Sequence, residues 1–131
     1  MLEFAFDGAK GRLHVRYTGF WTDAQSNAYI AEFTAYTRRL ALTHGAFTLL
    51  DDMQDWVPQS QSVVENNTQF GHICAHLPIV RNAMILPSQL IRRQVIRTVQ
   101  ALSCGLFDNF PEADQWLAQA EPARGTMTAM P

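Results

Sequence analysis

At three points along this chain, each ahead of an apolar periodic run, a short polar residue is followed, three places on, by glutamine or glutamate: Thr22 with Gln25, Ser62 with Glu65, and Asn109 with Glu112. That is the spacing of a capping box, in which two N–H groups left over at a helix start are satisfied reciprocally, so each pair marks a helix N-terminus. Helical periodicity follows each mark: Ala28, Tyr29, Phe33, Tyr36 and Leu40; then Val63, Val64, Phe70 and Ile73; then Ala113, Trp116 and Leu117 beyond Pro111. A further helix opens at Pro87-Ser88, with Leu90, Ile91, Val95, Val99 and Leu102 on one face and Arg93 and Arg97, a turn apart, on the other.

The segments between these helices read as strands. Leu2, Phe4 and Phe6 alternate with Glu3, Ala5 and Asp7, and Leu13, Val15 and Tyr17 alternate with His14, Arg16 and Thr18, across a turn at Asp7 to Gly11. Period-two alternation on both sides of a turn is the pattern of an antiparallel hairpin with one wet face. His44-Gly45 stops the first helix; Phe47–Leu50, Ile79–Leu86 and Gly105–Phe107 are apolar runs of strand length. The order is β-β-α-β-α-β-α-β-α. Strands separated by helices pair in parallel through right-handed crossovers, so the expectation is a mixed sheet packed with helices, a hairpin leading into parallel strands. Residues 1–119 form one domain in this reading, and 120–131, where periodicity is lost, a C-terminal tail.

Composition narrows the function classes. A 131-residue chain that is 47% hydrophobic and 17% charged belongs with globular domains that fold without staples. Its charge of −2 hides a polarity: no acid stands between Glu65 and Asp108, while Arg81, Arg92, Arg93 and Arg97 do. All twelve acids lie outside that window, which argues against nucleic-acid binding and leaves only local anion attraction. No apolar run approaches the roughly 18 residues of a membrane span, so stable membrane insertion is not expected. The N-terminus opens directly into Leu2-Glu3-Phe4 with no leader pattern, and Cys74 and Cys104 lack C-x-x-C spacing. A cytoplasmic home with both thiols reduced in the core is expected.

The element order resembles the SpoIIAA-like branch of the STAS domains, the fold of anti-sigma-factor antagonists and of the cytoplasmic domains of sulfate transporters. The resemblance is carried by Gly19-Phe20-Trp21-Thr22, Leu49-Leu50-Asp51, the Leu86-Pro87-Ser88 junction before an Arg-bearing helix, and Phe107-Asp108 through Glu112-Ala113 to Trp116-Leu117. It spans residues 2 to 119 and implies a SpoIIAA-like (STAS-like) α/β fold. In regulatory members a serine at the start of the helix after the third strand is phosphorylated by a partner kinase, and the same surface binds that kinase. The resemblance thus implies Ser60 or Ser62 as phosphoacceptor, with Asp51 as the acid that closes the strand.

The residues themselves leave several readings open. Ser62 caps a helix through its Oγ in the simplest case. Asp51, Asp52, Asp55, Trp56, Ser60 and Ser62 are the candidate partner surface, lying on the loop that joins a strand end to a helix start. The three aspartates suit a hard cation, but the chain's single lysine, Lys10, sits in the hairpin, which argues against a receiver-type phosphoryl site; no Gly-rich loop ends in Lys-Ser or Lys-Thr. His72 and His76 are spaced as a two-ligand metal pair without further ligands, so no metal and no cofactor is expected. No Ser-His-Asp set or G-x-S-x-G elbow occurs, and the chain is read as non-enzymatic. Arg93 and Arg97 are the candidate anion contacts. Trp21 and Trp56, at turns, are read as core lids or, if exposed, interface anchors. The favoured function is a stand-alone binding and regulatory module that recognises an unidentified protein, with a homodimer through the hairpin edge or the tail as a further expectation. The alternative is a small-molecule or lipid carrier, marked by an apolar cavity of several hundred Å³ lined by Phe33, Phe70 or Ile91.

Overall fold

The computed structural model describes residues 1–87, 89–98 and 104–120, and of Arg97 and Thr98 the backbone only. The strands are β1 (Leu2–Asp7), β2 (Arg12–Tyr17), β3 (Phe47–Asp52), β4 (Ile79–Ile85) and β5 (Cys104–Phe107). The helices are α1 (Asp23–Thr43), α2 (Gln61–Asn66), α3 (Thr68–Cys74), α4 (Gln89–Thr98) and α5 (Phe110–Ala118). The sheet runs β1-β2-β3-β4-β5, with β1 antiparallel to β2 and every later pair parallel. The mixed α/β sheet expected from the alternation is therefore present. Ser88, Val99, Leu102 and the tail from 121 lie outside the described residues, as does the side chain of Arg97.

Strand order that follows chain order has a consequence. Each right-handed crossover steps to the next strand on the same side, so the connecting helices α1 to α4 gather on one face. Ile30, Phe33 and Leu40 of α1, Val63 of α2, Phe70 and Cys74 of α3, and Ile91 and Val95 of α4 meet Leu13, Val15, Phe47, Leu49 and Met84 there. Only α5, which follows the last strand, is free to cover the other side. It does so with Ala113 and Leu117, against Leu50, Ala83 and Ile85. Consecutive residues thus divide between the faces, Leu49 to one and Leu50 to the other, as the pleat requires.

Two helix starts are as expected. Thr22 Oγ1 accepts from Gln25 N–H at 3.1 Å while Gln25 Oε1 accepts from Thr22 N–H at 2.9 Å, and Asn109 Oδ1 accepts from Glu112 N–H at 3.0 Å. Gly45, at φ +91°, leaves α1 in a conformation that a side chain would strain. The second capping pair is a correction. Ser60, not Ser62, is the cap of α2, accepting from Val63 N–H at 3.3 Å, so the helix starts two residues earlier. The single helix expected from Val63, Val64, Phe70 and Ile73 is two, α2 and α3, joined at Asn67. The α1 stripe is also rotated: Ser26, Ile30, Phe33, Thr37 and Leu40 are buried, while Ala28 faces solvent. Thr37 reaches the core because its hydroxyl donates back to Phe33 O at 2.7 Å. No described helix is long and apolar enough to cross a membrane.

Candidate functional site

Asp51 is the last but one residue of β3, the central strand, and its side chain turns toward the helical face with only 2% of its surface exposed. In open parallel sheets ligands bind beyond the carboxyl ends of the strands, which is where this carboxylate sits. Tyr17, closing β2, donates its hydroxyl to Asp51 Oδ1 at 2.9 Å, and Asn82 of β4 donates Nδ2 to Asp51 Oδ2 at 2.9 Å. Asn82 is itself held: Nδ2 also reaches Leu49 O at 3.2 Å, and Cys104 Sγ donates to its Oδ1 at 3.3 Å. Four adjacent strands thus supply one hydrogen-bonded chain.

Burial pushes the Asp51 carboxyl up to about 6, and the bonds from Asn82 and Tyr17 offset only part of that rise. Among the described residues no cation pairs with Asp51. The Tyr17 hydroxyl is driven well above its ordinary value, by burial first and then by the charge on Asp51. Burial raises both thiols, Cys104 to about 12, so neither is a ready nucleophile near neutrality.

Asp51 lines a cleft between the sheet and helices α2 to α4 whose other walls include Met53, Trp56, Phe70, Met84 and Gln94. Counted out to its open mouth the cleft encloses about 490 Å³, inside which about 30 Å³ is free for the centres of water-sized molecules. That is room for about two waters. Of the three residues expected to line a carrier's cavity only Phe70 does so, and the free space is far below what a lipid needs. Behind the wall stands an aromatic stack: Tyr17 lies 5.9 Å from Trp21 with the rings nearly parallel, and Trp56 tilts against both at 5.1 and 5.0 Å. Trp56 is 8% exposed, and among the described residues its indole N–H has no hydrogen-bond partner.

The loop that carries Trp56 is pinned by a residue the sequence reading passed over. Gln59, buried, accepts from Trp21 N–H at 2.8 Å and donates to Gly19 O and Val57 O at 3.0 and 2.6 Å. Its backbone exchanges a pair of bonds with the side chain of Gln94, each 3.0 Å long, tying loop to α4. A polar residue after Pro58 carries no periodicity, so nothing local marks Gln59 as interior.

The six residues of the candidate partner surface lie in different surroundings. Asp51 and Trp56 are interior, because β3 is central and the loop after it folds back over the core, Trp56 pairing with Gly19 in an isolated parallel bridge. Asp52 caps the local turn by accepting from Gln54 N–H and Nε2, each at 3.1 Å. Asp55 pairs with Arg16 at 2.6 Å. Ser62 donates to Asp23 Oδ1 at 2.7 Å, facing the start of α1, and Ser60 lies 3.3 Å from it. The acids and the serines accordingly look to different neighbours.

The remaining candidates are dispersed. Trp21, like Trp56, is core. Arg93 is exposed, Arg92 pairs with Asp108 at 2.8 Å, and Arg81 lies over the Trp116 ring, 4.5 Å from its centre, donating to Trp116 O at 2.9 Å. His76 Nδ1 lies 3.0 Å from His72 O, and among the described residues no three His, Cys, Asp or Glu side chains converge as a metal set. No protein-family model matches the chain, and comparison with curated proteins finds no match.

Proposed function

We propose that this chain is a SpoIIAA-like, non-catalytic module that binds a small molecule in the Asp51 cleft. The observation that carries the reading is a buried carboxylate at the end of the central strand, lining a cleft that Trp56 also lines; among the described residues neither the carboxylate has a cation partner nor the Trp56 indole N–H an acceptor. Both are costly in a closed interior, and perturbed groups of this kind concentrate at functional sites. Strand order that follows chain order, with α1 to α4 on one face, supports the fold assignment; the small free volume argues for a ligand whose polar head enters the cleft rather than for a lipid carrier.

The test is a fragment screen by thermal shift on the full chain, followed by NMR mapping of each hit. A ligand at a hundred times its dissociation constant stabilises the folded state by about 2.7 kcal/mol, a plain shift for a domain of this size. Hits are expected to perturb Tyr17, Asp51, Trp56, Phe70 and Val95. A library with no hit, or hits that map elsewhere, refutes the reading.

Protein recognition with phospho-switching keeps one supporting observation. Ser62 is exposed and bonded to Asp23, so a phosphate there would set two negative groups against each other and loosen α2 from α1. A lysate kinase that leaves Ser60 and Ser62 unmodified removes it.

A further inference from the structure

The chemistry of the occupant follows from what the cleft leaves unsatisfied, and rests on the reading of the cleft as a binding site. Its polar walls make two demands of opposite kind. Each Asp51 oxygen accepts one bond, from Tyr17 or from Asn82, and retains a second lone pair for a donor. Trp56 Nε1 is a donor only and is buried with no acceptor among the described residues. Gln94, also in the wall, exchanges one bond at each end of its amide with the backbone of Gln59.

A hydroxyl answers both kinds of demand, since the one group donates and accepts. An ammonium has donors alone and leaves the Trp56 N–H facing a cation. A carboxylate has acceptors alone and meets the charge of Asp51. Space for about two waters suits a one-atom polar head. The rest of the lining, Met53, Val64, Phe70, Met84 and Val95, is apolar, and the two methionines have the unbranched, adaptable side chains that make room for a body larger than the gap they leave when empty. We infer that the cleft takes an uncharged apolar alcohol or phenol, whose hydroxyl donates to Asp51 and accepts from the Trp56 indole N–H.

Matched one-ring probes separate this from the reading beneath it. Benzyl alcohol, toluene, benzylamine, benzamide and benzoate are titrated at pH 7.5 into the ¹⁵N-labelled full chain, following the indole N–H signals of Trp21, Trp56 and Trp116, with Trp56→Phe identifying its own. Benzyl alcohol is expected to bind at least about tenfold more tightly than toluene, through the two hydrogen bonds toluene cannot make, and to shift the Trp56 indole signal. Trp56→Phe is expected to shrink the alcohol-to-toluene ratio by the one bond it removes, the bond to Asp51 being retained. If toluene matches the alcohol, or if the amine, amide or acid binds most tightly at the cleft, the hydroxyl inference is overturned while the cleft remains a binding site. If no probe disturbs the cleft residues, both fall. Should Trp56→Phe not fold, the ranking of the five probes on the unaltered chain decides alone.

Discussion

Asp51→Asn removes a charge from the interior while keeping the shape of the side chain, and its effect on stability must change sign with pH. The folded carboxyl titrates at about 6, against about 3.9 in an unfolded chain. Between those values the folded state binds the proton that the unfolded state releases. Stability from protonated Asp51 is therefore complete below about pH 4 and is lost as pH rises through about 6. At about 1.4 kcal/mol per pH unit of displacement, the loss reaches about 3 kcal/mol at neutrality. The asparagine variant escapes it; its amide oxygen keeps the bond from Asn82 Nδ2, while its NH2 end meets the Tyr17 hydroxyl, which loses its acceptor and has to turn to accept, at about 1 kcal/mol. The variant should be more stable than the parent at pH 7 and less stable at the acid limit, with the two curves crossing between about pH 4 and about 6. Urea unfolding of both proteins from pH 4 to 7.5 measures this. His14, lowered chiefly by burial, and Asp114, lowered by Arg12, titrate in both and cancel in the difference. A difference that stays constant within about 0.5 kcal/mol across the range refutes the claim that an ionised carboxylate is buried here.

Ser60→Ala should destabilise by about 0.5–1 kcal/mol through loss of the α2 cap, and Ser62→Ala by less than about 0.5; the reverse order in denaturant midpoints would restore Ser62 as the cap. Asp114→Ala leaves the wholly buried guanidinium of Arg12 without the carboxylate 2.5 Å away and should cost about 2 kcal/mol or more, read by urea unfolding at pH 7. That pair's own contribution fades as pH falls below the ordinary carboxylate range, because Asp114 is held below it. Gly105→Ala drives a methyl to 2.6 Å from the Phe107 ring and 3.0 Å from Trp116, and should cost about 1–3 kcal/mol with a change in near-UV circular dichroism.

The strands and helices were legible because their signals are local. Thr22 with Gln25 and Asn109 with Glu112 announce helix starts through bonds that span three residues, and the hairpin's alternation reports a pleat that any half-buried sheet shares. The division of one expected helix at Asn67 was not legible, since it depends on a partner 41 residues away: Ser26 Oγ donates to Asn67 Oδ1 at 2.6 Å and draws that side chain into the interior. The Ser60 and Ser62 ambiguity is of the same origin. Both spacings fit a cap, and the choice falls to Ser60 because Ser62 is claimed by Asp23 of α1. Likewise Asp51, Asp52 and Asp55 form one acidic stretch in sequence, but the end of a central strand splits them, one side chain to the core and the others to solvent and Arg16.

The two buried charges show which parts of the molecule are scaffold and which are site. Arg12 on β2 has none of its surface exposed, yet its Nη1 meets Asp114 of α5, whose carboxyl is pulled down by the contact. Opposite charges brought together in this way lower each other's cost and fasten α5 across the sheet. Asp51 stands on the opposite face, equally buried and displaced the other way, because the groups around it are neutral donors. Donors satisfy two of its lone pairs without cancelling its charge. A pair that only had to hold the fold would follow the first pattern, and replacing Asp51 by an apolar residue would then be neutral or stabilising. The second pattern keeps a charge available inside an aromatic cleft, and a ligand hydroxyl that donates to it recovers part of the about 3 kcal/mol that its ionisation removes. Binding should accordingly shift the Asp51 titration downward, since a donor favours the ionised form, and affinity for the alcohol should weaken as pH falls below about 6 while affinity for toluene does not. The carboxyl carbon signal of Asp51, followed by NMR with and without benzyl alcohol, reads the shift directly, and an unchanged midpoint under saturating alcohol would place the hydroxyl somewhere other than on Asp51.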